Sequence, residues 1–208
     1  LTGPFSHLAS NGTAVKALLT QSKRLADNLK FAFDSPTGIP RNNLNLALKS
    51  SGDGTNGLAT IGTLILEWTR LSDLTGDPQY AELSKKGESY LLSPKYNTPL
   101  SSPWPGLLGT NVNVTTGLFV DASGGWNAND DSYYEYLIKM YVYDSSKYAA
   151  YKDAWIEAAD STIAHLASHP STRPDLTFVA AFNGQTLNYD SGHCEYPSLY
   201  LLALTATN

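Results

Sequence analysis

Two carboxylates one helical turn apart, Asp131 and Glu135, stand among tyrosines in the run GGWNANDDSYYEYLIKMYVYD, residues 124–144. Asp130 or Asn129 supplies an N-cap, so Asp131 falls in the first turn of a helix, where free N–H groups and the helix dipole favour an anion. Glu135, four residues on, shares its face. On a plain surface helix that like-charge pair is unfavourable. Here Tyr133, Tyr134, Tyr136, Tyr141 and Tyr143 wall it with rings that carry hydroxyls. Carboxylates beside aromatic platforms suit a carbohydrate: rings meet the C–H faces, acids accept from hydroxyls, and glycoside hydrolysis needs two carboxyl groups across the scissile bond. The Gly/Asn loop ahead of the helix reads as room for a sugar to approach. The plainer alternative is a cap, a solvated helix charge and packing tyrosines.

Other chemistries find less support. His165 and His169 stand at i, i+4, but a metal needs three or four ligands and no acid or cysteine accompanies them. Asp53-Gly54-Thr55-Asn56 lacks the acidic spacing and closing Glu of a calcium loop and reads as a loop and helix cap. The single Cys194 makes no internal disulfide. Net charge is −5 and no basic run exceeds Lys85-Lys86, which argues against nucleic acid as a partner. Apolar stretches such as Tyr200–Leu204 fall far short of the roughly 20 residues that span a bilayer. Asn11-Gly12-Thr13 and Asn113-Val114-Thr115 are N-glycosylation acceptors, and with 16% charged residues the composition suits a secreted protein. Leu1-Thr2-Gly3-Pro4 carries no leader pattern and reads as a processed start or the inside of a longer chain.

The elements that must position these residues are mostly helices. Apolar spacing predicts them over Ala14–Phe33, with Val15, Leu18, Leu19, Leu25, Leu29 and Phe33 on one face, and over Leu58–Leu74, apolar enough to be an inner helix. Thr75-Gly76-Asp77-Pro78 ends the latter with glycine and restarts the chain with proline. Pro78–Leu92 follows, with Lys85, Lys86 and Glu88 on its polar side. The stretch Ser93–Gly125, punctuated by Pro94, Pro99, Pro103 and Pro105, is too long for a connector, and Trp104, Leu107, Leu108 and Phe119 make it a packed loop. Asp130–Val142 and Lys147–Ser168 form another inner and outer pair. Thr177–Tyr189 holds two β-prone runs about Asn183-Gly184, a hairpin signal. The fold class is mainly α, a single-domain α/α toroid with a small β element.

The motif G-G-x-x-x-x-D-D-S-Y-Y-E-Y-L-I-K resembles the signature helix of the class I α-1,2-mannosidases, glycoside hydrolase family 47, usually G-D-S-Y/F-Y-E-Y-L-x-K. Thr37-Gly38-Ile39-Pro40, the run GLATIGTLILEW from Gly57 and RLSDLTGDPQY from Arg70 extend the likeness, which covers residues 1–193 and is closest to secreted fungal members. It implies an (α/α)7 barrel, here a partial toroid, and inverting, exo-acting hydrolysis of terminal α-1,2-linked mannose from N-glycan oligosaccharides, with Ca²⁺ at the barrel's base. By the same matching Asp131 is an essential acid that moves a proton directly or through a water. Glu135 belongs to the sugar subsite, and His193, where the likeness ends, approaches it. Asn129 stands where some members carry Arg, which implies broader acceptance of α-1,2 linkages. Thr60 replaces a Glu of the family's L-A-E-x-G-T-L pattern.

An inverting enzyme spaces its two carboxyls roughly 6.5–9.5 Å apart, so Asp131 and Glu135 are expected to form one half of the pair. The family's E-x-x-I-R-x-L-G-G-L, R-P-E and E-T-x-K-Y motifs, and the Thr that binds Ca²⁺, have no counterpart here. The expectation is a partial catalytic domain over residues 1–193 and a divergent tail over 194–208, monomeric and in the secretory pathway or outside the cell. An open toroid leaves apolar inner helices exposed. The rival expectation is a fragment that binds mannose glycans without cleaving them, or an inactive product.

Overall fold

The computed structural model describes residues 12–52, 54–96, 102–184 and 188–190. Its first helix, α1 (Gly12–Leu29), runs into a 3-10 helix, Lys30–Phe33. The helix forms where its apolar spacing predicts, yet Ala26 is the one buried residue of α1, and Val15, Leu18 and Leu25 are exposed. Periodicity gives a helix an apolar face; a neighbour must be present to bury it.

The inner helix expected over Leu58–Leu74 is two helices, α2 (Leu58–Gly62) and α3 (Ile65–Thr75). A Cβ on Gly62 would lie 2.5 Å from the Tyr133 ring, so the glycine lets α2 pack closely against the later helix that carries Tyr133. Gly76 ends α3 in the left-handed region, φ 73°, its N–H donating to Ser72 O at 2.8 Å. Pro78 then caps α4 (Gln79–Leu92), which folds back along α3. Glu88 departs from expectation: it lies in the buried face of α4, 1% exposed, and burial raises its carboxyl well above the usual range.

Short strands break the long irregular stretch. Before it come the pair β1 (Leu44–Asn45) and β2 (Ser50–Ser51), then β3 (Thr55–Gly57), so residues expected as a helix cap are a strand. Within it lie β4 (Lys95–Tyr96), β5 (Asn111–Asn113), β6 (Leu118–Phe119) and β7 (Ser123–Gly124). The sheet order is β3-β5-β6-β4, with Asn56 opposite Val112 and Val112 opposite Phe119. Leu107, Leu108, Val112, Val114 and Phe119 are buried, so the stretch is packed as its apolar content predicts.

The sheet seats α5 (Asp131–Tyr143), whose Tyr133, Tyr134, Leu137, Ile138 and Met140 enter the main core. The helix α6 (Ala149–His165) packs beside it with Tyr151, Trp155 and Ala158. After β8 (Ala167–Ser168) and β9 (Phe178–Val179), which pair, the expected hairpin forms from β10 (Ala181–Asn183) and β11 (Asn188–Asp190), closing at Asn183↔Asn188. Its first strand also pairs with β7.

Candidate functional site

The helix α5 starts from a turn bound on every side. Asn127 O accepts from both Asp130 N–H and Asp131 N–H at 3.0 Å, and Asn129 takes a positive φ of 82°. Asn129 O then accepts from Ala59 N–H at 2.8 Å, which ties the turn to α2, while Leu58 N–H donates to Thr110 O at 2.7 Å. Gly124 serves packing here: a Cβ on it would lie 2.2 Å from Leu108 O and 2.8 Å from the Phe182 ring. The glycine expected to open space for a sugar instead lets β7 lie against its neighbours.

Asp131 opens α5 and is half-buried; Asn129 is exposed beside it. Asp130 is the N-cap residue, but its side chain makes no capping bond. It turns inward, 1% exposed, with Oδ2 3.1 Å from Thr110 Oγ1 and Oδ1 in no hydrogen bond. Burial, and then the nearby Asp121 and Asp131 charges, push its carboxyl up to about 8 against the pull of Thr110 and, more weakly, of the Gly125 backbone.

One turn on, Glu135 is half-buried and pairs with Lys139 Nζ at 2.6 Å, so the like-charge pair read from the sequence carries its own counter-ion. Lys139 Nζ also lies 4.8 Å from the centre of the Tyr136 ring. Tyr136 brings in an acid that sequence reasoning passed over: its hydroxyl donates to Glu67 Oε1 of α3 at 2.9 Å. Desolvation, the bond to Glu67 and the charges of Glu67 and Glu135 raise the phenol to about 12. Further along the helix, Tyr143 donates to Asp73, again from α5 to α3. Glu67 was visible as an acid set in a nearly apolar helix, but only the pairing of α3 with α5 shows what it faces.

Tyr133 and Tyr134, expected to share the sugar-facing wall, are core residues. Tyr134 stacks on Trp126 with centroids 4.4 Å apart and accepts from Leu108 N–H at 3.2 Å, and Tyr133 OH donates to Leu91 O. The two histidines stay apart: His165 stacks on Trp104 and His169 Nδ1 lies 3.0 Å from Leu176 O. Asn113 is half-buried in β5, its Oδ1 accepting from Thr115 and Thr116 N–H. His193 and Asn11 lie outside the described residues, as does the tail 194–208. Among the described residues no three His, Cys, Asp or Glu side chains group as a metal site. None of the described helices is long and apolar enough to cross a membrane.

Fold and site together define a mainly helical protein that presents acids and tyrosines from neighbouring helices. The family model of glycosyl hydrolase family 47 matches residues 1–208. The chain is 57% identical over 212 aligned residues to the mannosyl-oligosaccharide alpha-1,2-mannosidase 1B of Aspergillus phoenicis, covering 100% of this chain and 41% of that protein. It is 59% identical over 194 residues to the mannosyl-oligosaccharide alpha-1,2-mannosidase of Coccidioides posadasii, covering 93% of this chain and 37% of that one. The solved alpha-1,2-mannosidase from Trichoderma reesei superposes with a TM-score of 0.82 at 56% identity, over 88% of this chain and 38% of that chain. This chain belongs to glycosyl hydrolase family 47 and shares the helical barrel fold of that structure. It spans about two fifths of the length of these relatives.

Proposed function

We propose that this chain carries a portion of the active site of an exo-acting, inverting hydrolase that removes terminal α-1,2-linked mannose from N-glycan oligosaccharides. The observation that supports it best is the presentation of Asp131 and Glu135 from successive turns of α5, with Glu67 of α3 bonded to Tyr136 next to Glu135, in a chain whose relatives are named as α-1,2-mannosidases. Asp131 moves a proton, directly or through a water, at the helix start where the dipole favours its charge. Glu135, released from Lys139, accepts from sugar hydroxyls; Asn129, exposed at the turn, and His193 complete the contacts. The second carboxyl of the inverting pair and the protein ligands of Ca²⁺ come from residues other than those described. On this reading the protein works as a monomer in the secretory pathway or outside the cell, with Asn11 and Asn113 as glycan acceptors.

The test is mannose release from α-1,2-linked mannobiose, with Ca²⁺ and then with chelator. The chain is assayed alone and grafted over the matching segment of the Aspergillus phoenicis relative. Calcium-dependent release is expected from the graft, and Asp131→Asn should lower it by on the order of 10²–10⁴-fold. An Asp131→Asn graft as active as its parent would overturn the role of Asp131. Mannobiose binding without release by the chain alone would favour the rival reading of a glycan-binding fragment.

A further inference from the structure

Thr110 Oγ1 lies 3.0 Å from Ser123 O and 3.1 Å from Asp130 Oδ2. A hydroxyl has one proton to donate, and both neighbours would be acceptors if Asp130 were ionised. Both bonds form together only if one of those oxygens carries a proton, and a backbone carbonyl does not. Asp130 Oδ1 is buried in no well-formed hydrogen bond, the Gly125 backbone exerting only a weak pull on the carboxyl, a position tolerable for the carbonyl of a neutral acid and costly for a carboxylate. Among the described residues, the titratable groups facing Asp130 are Asp121, from the segment between β6 and β7, and Asp131, its neighbour on α5. Both are acids and both disfavour a charge on it.

We propose that Asp130 is a positioning residue for Asp131: it donates a carboxyl proton to Thr110 Oγ1, the threonine donates its own proton to Ser123 O, and this relay of hydrogen bonds fixes the turn that presents Asp131. The relay sits where several elements meet. Asp130 N–H and Asp131 N–H share one acceptor, Asn127 O, and Asp130 O accepts from Tyr133 N–H in the first turn of α5. Thr110 meanwhile anchors α2 through Leu58 N–H. Ionising Asp130 leaves one hydroxyl proton for two acceptors and sets a third charge beside Asp121 and Asp131. The turn then loosens, and Asp131 is presented differently. Asp130→Asn mimics the neutral acid, because its amide N–H donates to Thr110 Oγ1 at any pH. This inference rests on the assignment of Asp131 to the active site only for its functional meaning; the relay itself is testable without substrate.

The experiment follows the backbone amide resonances of Asp131 and Ser132 by NMR across pH, in the wild-type chain and in Asp130→Asn, Thr110→Val and Thr110→Ser. In the wild type both amides should shift with a midpoint of about 8. Asp130→Asn should hold the low-pH positions throughout, Thr110→Val should displace both amides already at low pH, and Thr110→Ser should restore the wild-type behaviour. The proposal is overturned if the wild-type amides do not titrate there, if the titration persists in Asp130→Asn, or if Thr110→Val leaves them in place. Mannose release by the graft into the Aspergillus phoenicis relative judges the mannosidase reading separately: its failure leaves the relay to be judged by the titration, and failure of the titration leaves that reading untouched.

Discussion

The helices α1 and α5 are both amphipathic in sequence, yet they meet different fates. Five of the thirteen residues of α5 are buried, among them Tyr133, Tyr134 and Leu137 at 2% exposure or less. In the eighteen residues of α1 only Ala26 is. The difference lies in what stands opposite. The helix α5 packs against α2, α3 and α6 and shares the main core with Val112 and Phe119 of the sheet, whereas α1 meets Leu71 of α3 and Tyr80 of α4 in a small cluster with Ala26. Its remaining apolar face borders a groove of about 750 Å³, lined by Val15, Leu18, Leu25, Leu66, Leu74 and Tyr143. Apolar spacing decides which side of a helix can be buried, and the number of neighbours decides how much stability results.

Matched substitutions test that contrast most directly. Leu137→Ala in α5 should cost about 2–5 kcal/mol in urea unfolding, and Leu18→Ala in α1, 61% exposed, within about 0.5 kcal/mol. Equal costs would mean that the face of α1 is covered in solution. Two left-handed glycines make a second pair. Gly106, φ 75°, would place a Cβ 2.5 Å from Ala158 N, so alanine there should cost about 1–3 kcal/mol for crowding in addition to roughly 1–2 kcal/mol of backbone strain. Gly76, φ 73°, has nothing within 4 Å of a Cβ and should show the strain alone.

A smaller effect is expected with pH. Asp130, pushed up to about 8, and Glu88, also raised by burial, hold protons in the folded state that the unfolded chain has lost above about 4. The Asp130 contribution is therefore complete below about 4 and is lost as the pH rises through about 8, the Glu88 contribution is likewise lost as the pH rises through its own raised value, and Asp130→Asn should flatten some of that fall in a series of denaturation curves. The smallest effect belongs to the α1 edge. Asp27 pairs with Lys23 at 2.8 Å and Lys30 at 3.0 Å and accepts from Tyr80 OH at 2.9 Å. These exposed ion pairs should matter little, and Asp27→Asn should shift the unfolding midpoint slightly, less still in high salt.

Much of the fold was legible because its signals are local. Gly76 and Pro78 marked the turn between α3 and α4, the Asn-Gly pair marked the β10–β11 hairpin, and the apolar content of the long proline-rich stretch foretold its packing. The need for glycine at position 62 was not legible, because it answers to the Tyr133 ring arriving from a distant segment, a contact no local window contains. At the site, Asp131 and Glu135 do stand at the start of α5 and one turn along it. Their surroundings differ from the expectation: Tyr133 and Tyr134 turn to the core, Lys139 occupies Glu135, and Glu67 approaches from α3.

By itself the sequence determined where the helices run, how α3 ends and which acids open α5, since dihedral preference, capping and spacing act within a few residues. Only the tertiary structure decided that Glu88 and Asp130 are buried, that α1 keeps much of its apolar face open and that Gly124 is required by Leu108 and Phe182. Burial, crowding and the protonation of an acid depend on atoms brought near from distant segments of the chain, and no periodicity carries that information.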